Sequence, residues 1–177
     1  MSQPGHEVEA WLAGPEPGVP PLLQPVAHML RHAQADVRRA LEGLTATQLW
    51  LRPGGAAAVG FHVRHAAGSI DRLLTYARGE TLSEAQRAAL AVEGDPGDEP
   101  PEAAALQTLF DAAVEAALAA LRRVRDEELL APRTVGRARC PSTVLGILAH
   151  LGEHTARHAG QALTTAKILR GLALGAD

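Results

Sequence analysis

The chain has 177 residues and a formal net charge of −3, enough length for one domain with a full-sized core. Its charges are well mixed, no basic block reads as a nucleic-acid footprint, and two Trp, one Tyr and two Phe are too few for base-stacking platforms. One cysteine, Cys140, excludes an intrachain disulfide and fits the cytoplasm. No leader pattern opens the sequence and no apolar stretch reads as long enough to span a bilayer, so neither nucleic acid nor membrane is an expected partner.

Alanine and leucine dominate, which favours helix. Residues 1–21, rich in Pro and Gly, read as a flexible N-terminal arm with one short turn around residues 8–12. Leu23, Val26, Leu30, Ala33, Val37, Leu41 and Leu44 then recur at three and four, predicting a first long helix over about 21–43. Thr45 and Gln48 form a capping-box pair for a single helical turn. Trp50 and Leu51 are expected to pack at the bundle end, and Arg52-Pro53-Gly54-Gly55 turns the chain. A second long helix spans about 57–78, with Gly79 in the usual C-terminal role. Residues 80–100 form a long connection in which Ser83 and Gln86 cap a short helix. A third long helix runs over about 101–125, and a second connection covers 126–141 without a convincing strand. Ser142 is expected to cap a fourth long helix ending near Leu169, before Gly171. The fold class is therefore all-α: a four-helix bundle over residues 22–170, whose second and third helices need not be antiparallel neighbours, followed by a C-terminal tail over 171–177.

Eight histidines is a high count for this length, and most of them fall in clusters. His150, His154 and His158 are spaced by four on the fourth helix, a step that turns the side chain by only about 40°. Two neutral imidazoles one turn apart can grip one transition-metal ion. By phase, His154 and His158 flank the apolar stripe while His150 faces solvent. His62 and His65 flank the stripe of the second helix in the same way, His62 nearer the core. His28 and His32, also four apart, point away from their stripe and read as solvated.

Three pieces now fall in order: Trp50-Leu51-Arg52-Pro53-Gly54-Gly55, Gly60-Phe61-His62-Val63-Arg64-His65-Ala66, and His154-Thr155-Ala156-Arg157-His158-Ala159-Gly160-Gln161. With them the chain resembles the DinB-like (DinB/YfiT-like) family over residues 22–170. The resemblance implies a four-helix bundle with a long crossing connection between its second and third helices, and often a homodimer. It implies a divalent metal held by one histidine early in the second helix and by the H-x-x-x-H pair of the fourth. Carried over, the metal ligands are His65, His154 and His158. Helical phase prefers His62 to His65, so His62 stands as the alternate ligand or as a residue behind the ligands.

A three-histidine ion with an open position can acidify a bound water or hold a thiol as its thiolate. Some relatives use a low-molecular-weight thiol to conjugate or isomerise an electrophile, which implies a thiol S-transferase or isomerase acting on a small-molecule substrate. Imidazole ligands suit several metals, zinc or nickel first among them. The alternatives are a non-catalytic metal-binding stress-response protein and a metal-dependent hydrolase. Arg64, Arg72 and Arg157 are candidates to receive carboxylates of such a thiol, each with a solvated arginine as its default. Glu153 is a candidate proton acceptor that by default is solvated. Cys140 reads as a buried small residue, and Tyr76 has no assignable role.

Overall fold

The computed structural model describes residues 9–174. Four long helices carry the fold: α1 (Gln24–Leu41), α3 (Val59–Ala77), α5 (Ala103–Leu121) and α6 (Val144–Leu174). Two short helices, α2 (Ala46–Leu49) and α4 (Glu84–Ala91), sit in the connections. The capping boxes at Thr45 and Ser83 are both formed. Gly79, at φ 82°, closes α3, with the Gly79 and Glu80 amides turning back to the Tyr76 and Thr75 carbonyls.

Cross-helix contacts fix the directions. Gly152 of α6 lies against Val26 and Met29, near the start of α1. Arg170 donates to the Arg39 and Ala40 carbonyls near its end, at 2.8 and 3.0 Å, so α1 and α6 are parallel. Thr165 reaches the Ala57 carbonyl while His154 meets His65, so α3 runs against α6. Gln34 donates to Asp111 at 2.9 Å and Arg31 pairs with Glu115, so α5 runs against α1. Hence α3 and α5 are parallel neighbours, and residues 78–102 must travel back along the bundle to join them. The core between the four helices is filled by large apolar side chains, among them Leu30, Ile70, Phe110, Leu118 and Leu151.

Several expectations change. The connection after α5 contains an antiparallel hairpin, β1 (Pro132–Val135) and β2 (Cys140–Thr143), paired from Pro132↔Thr143 to Val135↔Cys140. Pro132 and Pro141 hide it from a propensity reading, because proline is disfavoured in strands except at edges. Ser142 and Thr143 are the last residues of β2, and it is Thr143, not Ser142, that caps α6, its Oγ1 accepting the Gly146 amide at 3.0 Å. Gly171 lies inside α6, which continues to Leu174. Leu51 is exposed, while Trp50 lies against Gly60 beneath the Arg64 guanidinium. Cys140 is exposed rather than buried.

Two further differences concern the edges of the fold. The late part of the N-terminal segment is fastened to the bundle: Val19 is buried, and Glu16 pairs with Arg31 and Arg122 at 3.0 and 2.8 Å. Of the short turn expected around residues 8–12, the described part is a 3-10 turn at Ala10–Leu12, and Val8 lies outside the described residues. Contrary to the sequence reading, α5 is long and apolar enough to cross a membrane, with a mean hydropathy of 1.4. Its alanine-rich sequence explains that value. Its face of Leu106, Phe110, Val114 and Leu118 is buried in the bundle, and Asp111 and Glu115 reach α1.

Candidate metal centre

The first half of α3 and the middle of α6 face each other, and they bring the two histidine clusters together. His65, His154 and His158 each offer one nitrogen, and these atoms all lie within 4.8 Å of one another. His65 Nε2 and His154 Nε2 are 3.0 Å apart. Nitrogens bound to one tetrahedral ion at about 2.0–2.1 Å sit about 3.3 Å apart, so this pair would open only slightly around an ion. The ring centroids of His65 and His154 each lie 4.5 Å from that of His158.

Neutral imidazole is the metal-binding form. Burial, with the His65 ring second, lowers His154 to about 4. Burial, then His154, lowers His158 to about 3. Burial and His65 also push His62 below its ordinary value. At neutral pH His154 and His158 are therefore neutral, the form in which an imidazole can coordinate a metal.

The outer nitrogens are held as well, in tautomers assigned here from the hydrogen-bond network. His65 Nδ1–H donates to Glu93 Oε2 at 2.7 Å, leaving Nε2 as a lone-pair donor. His154 Nε2–H then donates to His65 Nε2, and Arg157 Nη2 donates to His154 Nδ1 at 3.1 Å. For His154 to present Nε2 to an ion, its proton must move to Nδ1. Arg157 would then give up that contact and keep Glu153, which it already meets at 3.1 Å. His62 Nδ1 lies 3.0 Å from His158 Nδ1, which leaves Nε2 as the nitrogen His158 can offer. The donor set therefore fits a divalent transition metal.

His62 is the more buried of the α3 pair, as its phase predicts, yet it stands behind His158 and outside the three-nitrogen group. His150 is exposed beside Glu153, and Glu153 is itself solvated. His32 is exposed next to Asp36. His28 is only half-exposed, because its Nε2–H donates to the Gly14 carbonyl at 3.1 Å. Both border a largely apolar groove of about 640 Å³ between Trp11, α1 and α6, away from the cluster. Cys140 lies in the hairpin before α6, and His154 is more than two helical turns into that helix.

Three residues at the site were not assigned a role from sequence. Glu93, on the crossing connection, is 6% exposed and pairs with Arg72 at 2.5 Å. Ser69 is buried with its Oγ 3.4 and 3.3 Å from the two facing Nε2 atoms, and it accepts from Arg72 Nη2 at 3.1 Å. Phe61 stacks on the His65 ring at 5.3 Å. Arg72 is thus buried and committed, not solvated and not open to a substrate. Arg64 is occupied by Trp50 and the Asp95 carbonyl. Asp71, further along α3, accepts from Gln86 at 2.7 Å. A signal for Glu93 was present in Gly68: a glycine in a helix interior costs about 1 kcal/mol against alanine and implies a close neighbour. A Cβ there would lie 2.3 Å from Glu93 Oε1.

A bundle with two parallel helix pairs and three inward-facing imidazoles on its second and last long helices belongs to the class of helical proteins with a candidate three-histidine metal centre. The DinB superfamily pattern matches residues 29–162, and the chain belongs to that superfamily. Comparison with curated proteins finds no match.

Proposed function

We propose that this protein is a divalent-metal-dependent enzyme that holds its ion, zinc or nickel, through His65, His154 and His158 and uses a low-molecular-weight thiol to conjugate or isomerise a small electrophile. The observation that carries the reading is the open donor set. Among the described residues no fourth His, Cys, Asp or Glu joins the three nitrogens, whereas structural sites are usually closed by a fourth protein ligand. A bound divalent ion would supply Lewis acidity, keeping a thiol ionised near neutral pH. The chain's one thiol, Cys140, lies in the hairpin away from the cluster, so the sulfur must arrive with a cosubstrate.

The residues around the cluster have matching tasks. Arg157, exposed beside His154 and paired with Glu153 through Nε and Nη2, has Nη1 to take a carboxylate of the incoming thiol. The Ser69 hydroxyl, already accepting from Arg72, has its own proton available for an anion next to the imidazoles. Phe61 walls the His65 side with an apolar ring. The experiment is conjugation of monochlorobimane by metal-loaded protein with glutathione, bacillithiol, mycothiol or coenzyme A. Acceleration by one of these thiols, lost together in His65→Ala, His154→Ala and His158→Ala, supports the proposal. No acceleration while the ion stays bound overturns it in favour of a non-catalytic metal-binding role or a hydrolase.

We also propose a homodimer in a cytoplasmic setting. Trp11, Leu12 and Leu22 are large apolar side chains left exposed, a surface that a second copy could cover. A monomeric mass by sedimentation at micromolar concentration removes the dimer.

A further inference from the structure

A glutamate on a connection between helices is ordinarily solvated, because burying a carboxylate costs free energy unless it is paired. Glu93 breaks that rule: it follows α4, its neighbour Val92 is exposed, and yet its own side chain is buried. Its two oxygens have separate partners. Oε1 pairs with Arg72 at 2.5 Å and Oε2 accepts the His65 Nδ1 proton at 2.7 Å. The carboxylate reaches this position only because α3 carries no side chain at Gly68, where a Cβ would lie 2.3 Å from Oε1 and 2.7 Å from Arg72 Nη1. From the other side the His65 ring is stacked by Phe61, with planes 20° apart.

We propose that Glu93 is a positioning residue for the metal centre, fixing the tautomer and rotation of His65 and tying the crossing connection to ion binding. The inference rests on the three-histidine site proposed above. A carboxylate accepting from the outer nitrogen of a ligating histidine raises the basicity of the inner one and removes its rotational freedom. Arg72 sets the far oxygen and balances its charge, so the carboxylate is held where it serves His65. The consequence runs both ways: an ion held by His65 also holds Glu93, and through it the chain around residues 92–98.

The test is a zinc competition titration against a chromophoric chelator, on wild type, Glu93→Gln and Arg72→Met. Glu93→Gln should bind zinc about 10–100-fold more weakly and shift the d–d absorption of the cobalt(II)-loaded protein. Arg72→Met removes the ion pair but keeps the Glu93–His65 contact, so it should lose stability while losing less zinc affinity than Glu93→Gln. In the wild type, zinc should slow amide exchange at residues 92–98, a readout that needs no variant to fold. Zinc affinity and cobalt spectrum of Glu93→Gln within twofold of wild type, or unchanged exchange at 92–98, overturn the role of Glu93 alone. A wild type that takes up no ion overturns the site beneath it as well.

Discussion

Gly68→Ala replaces a poor helix former with the best one at the centre of α3, and should nevertheless destabilise the protein. Intrinsic propensity alone favours alanine by about 1 kcal/mol. The new Cβ would fall 2.3 Å from Glu93 Oε1 and 2.7 Å from Arg72 Nη1. Both are ends of long side chains, and on a surface they would swing aside at little cost. Here Glu93 and Arg72 are 6% and 7% exposed, and moving one leaves the other buried without its partner. Breaking a buried ion pair costs about 3–5 kcal/mol, so the net loss is about 2–4 kcal/mol after the propensity gain. At about 2–4 °C per kcal/mol for a chain of this size, the melting midpoint should fall by about 4–16 °C. Gly160→Ala is the control, since a Cβ there meets nothing within 4 Å. It should stabilise by up to about 1 kcal/mol. The assay is thermal unfolding followed by circular dichroism, in chelator, so that ion binding does not contribute. A Gly68→Ala variant at least as stable as Gly160→Ala refutes the packing argument.

His65→Ala, His154→Ala and His158→Ala should each abolish uptake of about one divalent ion per chain, measured by elemental analysis, whereas His62→Ala should retain the ion and His28→Ala and His32→Ala should change nothing. In the metal-free protein, His154 and His158 are lowered from 6.5 to about 4 and about 3, so between those values and 6.5 the unfolded chain binds protons the folded one does not. Their contribution to stability is therefore complete above about pH 6.5 and is lost progressively as pH falls towards 4 and 3, and urea midpoints over that range should decline less in His158→Ala. Thr143→Ala should cost about 1 kcal/mol through loss of the α6 cap, read as a lower urea midpoint, while Ser142→Ala should be near neutral.

The helices were legible because their apolar residues recur at three and four and their ends carry Thr45, Ser83 and Gly79, all local signals. The two histidine clusters were legible for the same reason: a step of four on one helix stacks side chains whatever the partner helix does. Phase also read the burial of His62 correctly. It could not say which of His62 and His65 turns its nitrogen towards His154, because that depends on Glu93 and Phe61 holding the His65 ring. Glu93 itself lies 28 residues from His65 in the chain, in a segment whose composition reads only as a loop. Arg72 looked solvated because its partner comes from that same segment. The hairpin was masked by its prolines, and the fastening of the N-terminal segment depends on Glu16 meeting Arg122 across 106 positions.

The parallel course of α3 and α5 imposes uneven tolerance to length change on the segment that joins them. Gln86 ties α4 to Asp71 and Thr75 at 2.7 and 2.8 Å, and Glu93 ties the following stretch to His65 and Arg72. Between these anchors the chain has a fixed span, and one added residue would pull the carboxylate out of register with the imidazole. Beyond Asp95, whose carbonyl receives Arg64, residues 97–99 are exposed and Gly97 turns at φ 73°. Because loop-closure entropy grows only slowly with length, this is where an epitope or a fluorescent reporter could be grafted at the least cost to the histidines. The same graft four residues after Gln86 would not be silent.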